Sequence, residues 1–355
     1  IARIDYTDSA DGVLLLEPSS TNYDSESENF DTSFMSNSNA IQSSILVSDV
    51  APDGTTNSVF KISKVTDNSD PYIGRSGVAF TSTNLVFSVW LWTDSDQPKD
   101  VLLLMYRDAV AEITTKNITL TTTPTRYFIQ KTFSNTPSNI SYRIDLTPNS
   151  SNQHIYAWGK QVENNSYLTS YIPTSGSTVT RAAETCNNSG NSEVFNDSEG
   201  VLFADISALA NDGTNRFASL TDGSNDNRVL FGYRASSNQV FARIEGNNSA
   251  SVDLTNVVND TKIVIKLAIY YDNLYNYKMY INGFLVDSAI GTDSIIGLDR
   301  LDFTNASGTE NFYGKTKELG YYDTALTDAE LETLTSYRNW VSMVNELNLN
   351  IIYNG

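Results

Sequence analysis

Short runs in which apolar and polar residues alternate, each closed by a cluster of Asn, Asp, Gly, Ser or Pro, dominate this chain from residue 12 to residue 322. Alternation at period two puts one side of a strand into a core and the other outside it. The clusters supply the turns, so the pattern commits the chain to antiparallel sheets. Nine such runs fall between residues 12 and 162 and eight between residues 200 and 322, enough for two sandwiches. The stretch Ser170 to Ser198 between them is poor in apolar residues and reads as a connection. Tyr280-Ile281-Asn282-Gly283-Phe284 puts Asn-Gly where a type I′ hairpin needs two residues at positive φ. Helix is expected only at the end, where Thr327-Asp328-Ala329-Glu330 has capping-box spacing and Leu331, Leu334, Trp340, Val341 and Val344 follow at near-helical intervals.

Composition narrows the function classes. With 355 residues and 40% apolar content, including 20 Tyr and 15 Phe, the chain can fill two cores. Its 23 Lys and Arg against 42 Asp and Glu leave a net charge of −19, a field that repels nucleic-acid phosphates and anionic headgroups. No nucleic-acid partner and no membrane insertion are therefore expected, the latter also because no apolar run approaches the ~20 residues of a bilayer span. The single cysteine, Cys186, cannot form an intramolecular disulfide, so burial and sheet hydrogen bonds must hold the fold. The chain opens on Ile1 with no signal-sequence pattern, which leaves room for an upstream leader or domain.

Arg3-Ile4-Asp5-Tyr6, Gly12-Val13-Leu14-Leu15-Leu16-Glu17-Pro18, Ser20-Thr21-Asn22 and Glu28-Asn29-Phe30 look like the lead-in to a carbohydrate-binding-module-like jelly roll. Trp158-Gly159-Lys160-Gln161-Val162-Glu163, Thr169-Ser170-Tyr171-Ile172-Pro173-Thr174 and Thr178-Val179-Thr180-Arg181-Ala182-Ala183-Glu184 look like its end. Phe312 to Leu319 and Thr324 to Leu331 resemble the closing strands and helix of concanavalin A-like, laminin-G-like domains. Together these stretches resemble bacteriophage virion and tail-fibre proteins, and the resemblance implies an all-β fold of two tandem antiparallel β-sandwiches with a short C-terminal helix. It divides the chain into a lead-in (1–28), a jelly roll (29–183), a linker (184–198), a concanavalin A-like sandwich (199–335) and a helix and tail (336–355). It also implies a non-enzymatic tail-fibre, spike or decoration protein at a virion surface or outside the cell, partnered by cell-surface polysaccharide and other virion subunits, with a homotrimer by fibre analogy. The alternatives are a purely structural particle protein and a polysaccharide lyase.

Catalytic patterns are sparse. No Glu-x-Asp-x-x-Glu run presents paired acids on one strand, and Asp205, Glu245, Asp253, Asp287 and Glu318 fall on different strands. The one histidine, His154, alternates with Tyr156 and Trp158 on one strand side, which offers a lyase-type His/Tyr pair or, more simply, a histidine packed beside aromatics. One His and one Cys cannot build a zinc site, and no nucleophile elbow or Walker loop occurs. No cofactor is expected. Jelly rolls admit a structural calcium ion, for which Asp8-Ser9-Ala10-Asp11-Gly12, Asp94-Ser95-Asp96 and Asp222-Gly223-Ser224-Asn225-Asp226 have the oxygen ligands but lack full EF-hand spacing. The expected binding residues are aromatic. Alternation in Val86 to Trp92 sends Phe87, Val89 and Leu91 to the core and leaves Trp90 and Trp92 on the other face, where sugar C–H faces can pack. On a neighbouring strand Leu102, Leu104 and Tyr106 are expected inward, which puts Met105 and Arg107 beside the tryptophans. Trp90, Trp92 and Arg107 are thus the carbohydrate-binding candidates.

Overall fold

The computed structural model describes residues 3–7, 10–38, 41–46, 49–66, 71–94, 100–107, 112–146, 153–236, 238–247 and 251–337. In chain order the strands are β1 (Arg3–Asp5), β2 (Val13–Leu16), β3 (Ser20–Asn22), β4 (Ser36–Asn37), β5 (Ile41–Leu46), β6 (Val59–Lys64), β7 (Tyr72–Val78), β8 (Asn84–Trp92), β9 (Asp100–Arg107), β10 (Ile113–Thr119), β11 (Thr125–Thr132), β12 (Ile140–Asp145), β13 (His154–Glu163) and β14 (Val179–Arg181). They continue with β15 (Gly200–Ala208), β16 (Arg216–Thr221), β17 (Arg228–Tyr233), β18 (Gln239–Glu245), β19 (Val252–Val257), β20 (Ile265–Tyr271), β21 (Asn276–Ile281), β22 (Phe284–Ile290), β23 (Arg300–Asp302) and β24 (Gly314–Tyr322), followed by helix α1 (Asp328–Thr335). The described residues are almost all β, in antiparallel sheets, with one short helix, α1.

The chain forms two compact units, Ser19–Ala182 and a discontinuous one made of Ile1–Pro18 with Ala183–Gly355. The first is a sandwich of two five-stranded sheets, β10-β9-β12-β7-β4 and β11-β8-β13-β6-β5, with β3 and β14 as a separate ribbon. Phe87, Val89, Leu91, Ile155 and Ala157 from one sheet meet Leu103, Met105, Tyr142 and Ile144 from the other in one core, where the Phe87 and Tyr142 rings lie 4.6 Å apart. Alternation correctly assigns the faces of β8. On β9 it does not: Val101, Leu103 and Met105 face the core, and Leu102, Leu104 and Tyr106 are only half-buried. A run of apolar residues on both faces carries no phase, so pairing with β10 and β12 decides it.

The discontinuous unit stacks a seven-stranded sheet, β1-β2-β24-β15-β20-β21-β22, on a five-stranded one, β19-β18-β17-β16-β23. The expected lead-in divides here. Residues 1–18 belong to this unit, with β2 paired to β24 and Lys315 Nζ 2.7 Å from Asp5 Oδ2. Arg3 bridges Glu17 and Glu184, and Glu184 Oε2 accepts the Glu17 amide at 2.9 Å. The expected linker is likewise part of the fold, since Ser189 pairs with Leu301 and Asp197 caps the Gly297 and Leu298 amides. A four-residue strand such as β2 cannot reveal by its own pattern a partner some 300 residues away. The Asn-Gly hairpin forms as read, with φ of 52° at Asn282 and 88° at Gly283. So does the capping box, Thr327 and Glu330 each accepting the other's amide. Helix α1 stops at Ser336, which is extended, and Trp340, Val341 and Val344 lie outside the described residues.

A buried ionic knot fixes the segment after β3. Asp24, with no solvent exposure, accepts from Tyr142 Oη, lies 3.1 Å from Arg75 Nη1 and 3.7 Å from Lys160 Nζ, while Lys160 donates to the Glu26 and Asn29 carbonyls. Burial pushes the Lys160 ammonium down to about 8, against the partial support of Asp24. A base whose pKa is lowered on folding holds fewer protons folded than unfolded, so this group makes stability rise with pH between about 8 and 10.5. Denaturant titrations across that window are expected to show a positive slope that Lys160→Met removes. An unchanged slope in the variant would contradict the assignment.

Candidate functional site

The candidate site lies on the face of sheet β11-β8-β13-β6-β5 that points away from the core. Cross-strand register sets its side chains in rows, because residues directly opposite each other in a sheet share a face. One row runs Arg126, Trp90, Trp158 and the next Trp92, Tyr156, Lys61, Ser44. A third holds His154, Ser63 and Gln42. The face therefore carries three of the protein's four tryptophans.

Half of this face is closed by the unit's own chain. Trp90 has the Trp158 ring 5.0 Å away, the Tyr171 ring 5.2 Å away and the Arg126 guanidinium 4.5 Å above it. Gly159, at φ 61°, makes this possible, since a Cβ there would meet the Trp90 ring at 2.9 Å. The stretch Trp158 to Glu163 acts as a clasp. Trp158 Nε1 donates to Ser58, Lys160 holds the Glu26 and Asn29 carbonyls, Gln161 accepts the Ile172 amide, and Glu163 accepts from Ser20 and Thr169. Trp90 is thus a packing residue of this clasp, only partly open to solvent.

The other half is partly covered, with Trp92 and Tyr156 packed in one cluster with Ala51, Val59 and Leu46, and is polar at its margin. The Trp92 and Tyr156 rings stack at 5.7 Å and 29°, both half-buried. His154 meets the Tyr156 ring edge-on at 5.3 Å. Its Nε2 lies 2.6 Å from Asp94 Oδ2 and 3.2 Å from Tyr156 Oη, and Tyr156 Oη donates to the same Asp94 oxygen at 3.1 Å. The carboxylate only accepts, so it orients both groups. His154 is 20% and Asp94 46% exposed, so solvent reaches the cluster. The arrangement offers apolar ring surface beside hydroxyl, imidazole, carboxylate and ammonium groups, the set that a sugar's C–H faces and hydroxyls require.

Arg107 is not part of it. It ends β9 in the opposite sheet and pairs with Glu112 at 2.9 Å, because β9 joins β10 and β12 rather than β8. Met105 is in the core. Among the scattered acids, Glu245 pairs with Arg228, Asp253 with Arg243, and Asp287 accepts the Thr255 amide. Asp205 and Glu318 are cross-strand neighbours, but Asp205 is 1% exposed with Lys266 at 3.9 Å, whereas Glu318 is exposed. Asp222 closes a turn onto Ser224 and Asn227, and no group of three or more His, Cys, Asp or Glu that could hold a metal occurs among the described residues. Asp8, Ser9, Ser95 and Asp96 lie outside those residues. Cys186 is half-buried, and burial raises its thiol pKa.

Asp94 follows Trp92 at period two, but Lys61, Ser44, Ser63 and Gln42 escape a reading along the chain. Their signal is strand order, since only the placement of β6 beside β13 and β5 beside β6 brings them to the tryptophan face.

No helix among the described residues is long and apolar enough to cross a membrane. No protein family matches the chain, and neither does any curated protein. Solved structures similar to it include a SAP-like pentraxin from Limulus polyphemus, 13% identical over 42% of this chain and 74% of that one, with a TM-score of 0.35. The receptor-binding domain of botulinum neurotoxin D is 12% identical over 41% of this chain and 38% of that one, with a TM-score of 0.33. The binding domain of Paraclostridial Mosquitocidal Protein 1 is 16% identical over 45% and 40%, with a TM-score of 0.32. The match spans less than half of each of these two binding domains.

Proposed function

We propose that this protein is a non-catalytic adhesion module that holds polysaccharide on the Trp92–Tyr156 half of the β11-β8-β13-β6-β5 face, with those two residues as the ring contacts. The stacked, solvent-reached pair beside the Asp94–His154–Tyr156 hydrogen-bond cluster carries this reading. The resemblance of its signature stretches to phage tail-fibre proteins supports display on a virion surface, where many copies multiply a weak contact. Trp92→Ala is expected to lower retention on a glycan array about tenfold or more, with an unchanged circular dichroism spectrum. Undiminished retention would overturn the assignment of Trp92. Lost particle assembly with retained glycan binding would transfer the face to subunit contacts.

The hydrogen-bonded His154 and Tyr156 favour a second reading, β-elimination of an acidic polysaccharide. One group would take the C5 proton, the C4–O bond would break as the C4=C5 bond forms, and the leaving oxygen would receive a proton. Incubation with acidic polysaccharides, read as ultraviolet absorbance of the new double bond, separates the readings. A rise lost in His154→Ala favours elimination, and a flat trace across several substrate classes removes it.

A further inference from the structure

Lys61 stands apart electrostatically. Every other lysine or arginine among the described residues has an ion pair, hydrogen bond or ring contact. Lys61 has none. In a chain where 42 acidic residues surround 23 basic ones, an ammonium without a carboxylate partner runs against the composition. Its position is also specific. It is the direct cross-strand neighbour of Tyr156 on β13, in the row that starts at Trp92 and ends at Ser44. Strands are about 4.8 Å apart, so its stem rises one strand-width from the aromatic stack. Ser63 and Gln42, paired to each other in the adjacent row, flank it with hydroxyl and amide groups.

Resting on the saccharide-binding reading above, we infer that the site takes an acidic pyranose chain laid across the strands, one ring against Trp92 and Tyr156 and a carboxylate on Lys61. An ammonium is a compact point charge with three donors, suited to a sugar carboxylate that approaches from solvent. Asp94 follows the end of β8 by two residues and is hydrogen-bonded to His154 and Tyr156 of β13. The carboxylate therefore lies on the β8 side of β13 and the ammonium on its β6 side, which orients an acidic chain laid across the strands.

The test compares oligogalacturonate with a neutral galacto-oligosaccharide of the same length, titrated calorimetrically at physiological ionic strength, where the protein's general negative field is screened beyond about 8 Å. Wild-type protein is expected to prefer the uronate. Lys61→Gln should lower uronate affinity about threefold to fivefold, the worth of one exposed ion pair, and leave the neutral ligand unchanged. Trp92→Ala should weaken both ligands. Equal affinity for the two ligands, with no selective effect of Lys61→Gln, overturns the Lys61 assignment while leaving the aromatic site standing. Failure of Trp92→Ala to weaken either ligand overturns the site itself. A sulfated galacto-oligosaccharide held as tightly as the uronate would also overturn the carboxylate assignment, in favour of anionic sugars generally.

Discussion

A chain beginning at Ser19 is expected to keep its inserted sandwich and to lose cooperative unfolding of the other unit. The deletion removes β1 and β2, which cover the edge of β24. Leu16 is 2% exposed and sits in the same core as Leu202, Ile206, Phe231 and Leu267, with Leu14 packed against that core. Burial of one such side chain contributes about 1.5–3 kcal/mol, so the lost strand is worth on the order of 5 kcal/mol. Whole domains are stable by only about 5–15 kcal/mol. The deletion also takes Arg3 and the Glu17 amide from Glu184, leaving a nearly buried carboxylate without its cation. Hydrogen exchange should then accelerate at the amides of 314–322 and 200–208 but not at those of 84–92. Arg3→Ala in the full chain should shift the same amides by a smaller amount. Protection at 314–322 as strong in the shortened chain as in the full one would show that β2 is dispensable.

That result would also mark where sequence reading succeeds and fails. Short-range features survive folding because their partners are close in the chain. Asn282-Gly283 needs only its own two positive φ angles, and Thr327 reaches Glu330 within one helical turn. The faces of β8 are legible because Ser88 interrupts an otherwise apolar alternation. β9 offers Val-Leu-Leu-Leu-Met with no interruption, and its phase comes only from register with strands 10 and 40 residues away. The same limit produced the Arg107 assignment, since adjacency in sequence put β9 beside β8 whereas the sandwich puts them in opposite sheets.

The site follows this division. Period two alone puts Trp90 with Trp92 on one side of β8 and His154 with Tyr156 on one side of β13, since each strand is long enough to alternate clearly, but only their pairing joins the two sets. Their grouping with Lys61 and Ser44 depends on β5 and β6, whose pairing no local motif announces. The Trp158 to Glu163 stretch, which carries much of the family resemblance, turns out to point its polar side chains into the unit's own covering segments. A recognisable motif here reports how the jelly roll is closed rather than what it binds.

Asp24→Ala is expected to be the most damaging single substitution in the inserted sandwich. Its carboxylate is the common partner of Arg75, Tyr142 and Lys160, and it also accepts the Glu26 amide at 2.8 Å. Removing it leaves the fully buried Lys160 with two backbone carbonyls and the Arg75 charge nearby. Breaking one side of a buried ion pair costs about 3–5 kcal/mol, because the remaining charge keeps its desolvation penalty without its partner. An apolar replacement of both groups does not carry that penalty. The double variant Asp24→Leu with Lys160→Met should therefore recover much of the loss, giving a coupling of about 2 kcal/mol in a double-mutant cycle read by urea denaturation. Additive effects would show that Asp24 acts through Arg75, Tyr142 and the Glu26 amide rather than through Lys160. The consequence reaches the candidate face, because Asp24 and Lys160 anchor residues 22–30, and Tyr171 Oη in turn donates to Ser27 at 2.7 Å. Tyr171 packs on both Trp90 and Trp158, so a loosened 22–30 segment should free the clasp beside Trp92 and weaken glycan retention before the sandwich unfolds.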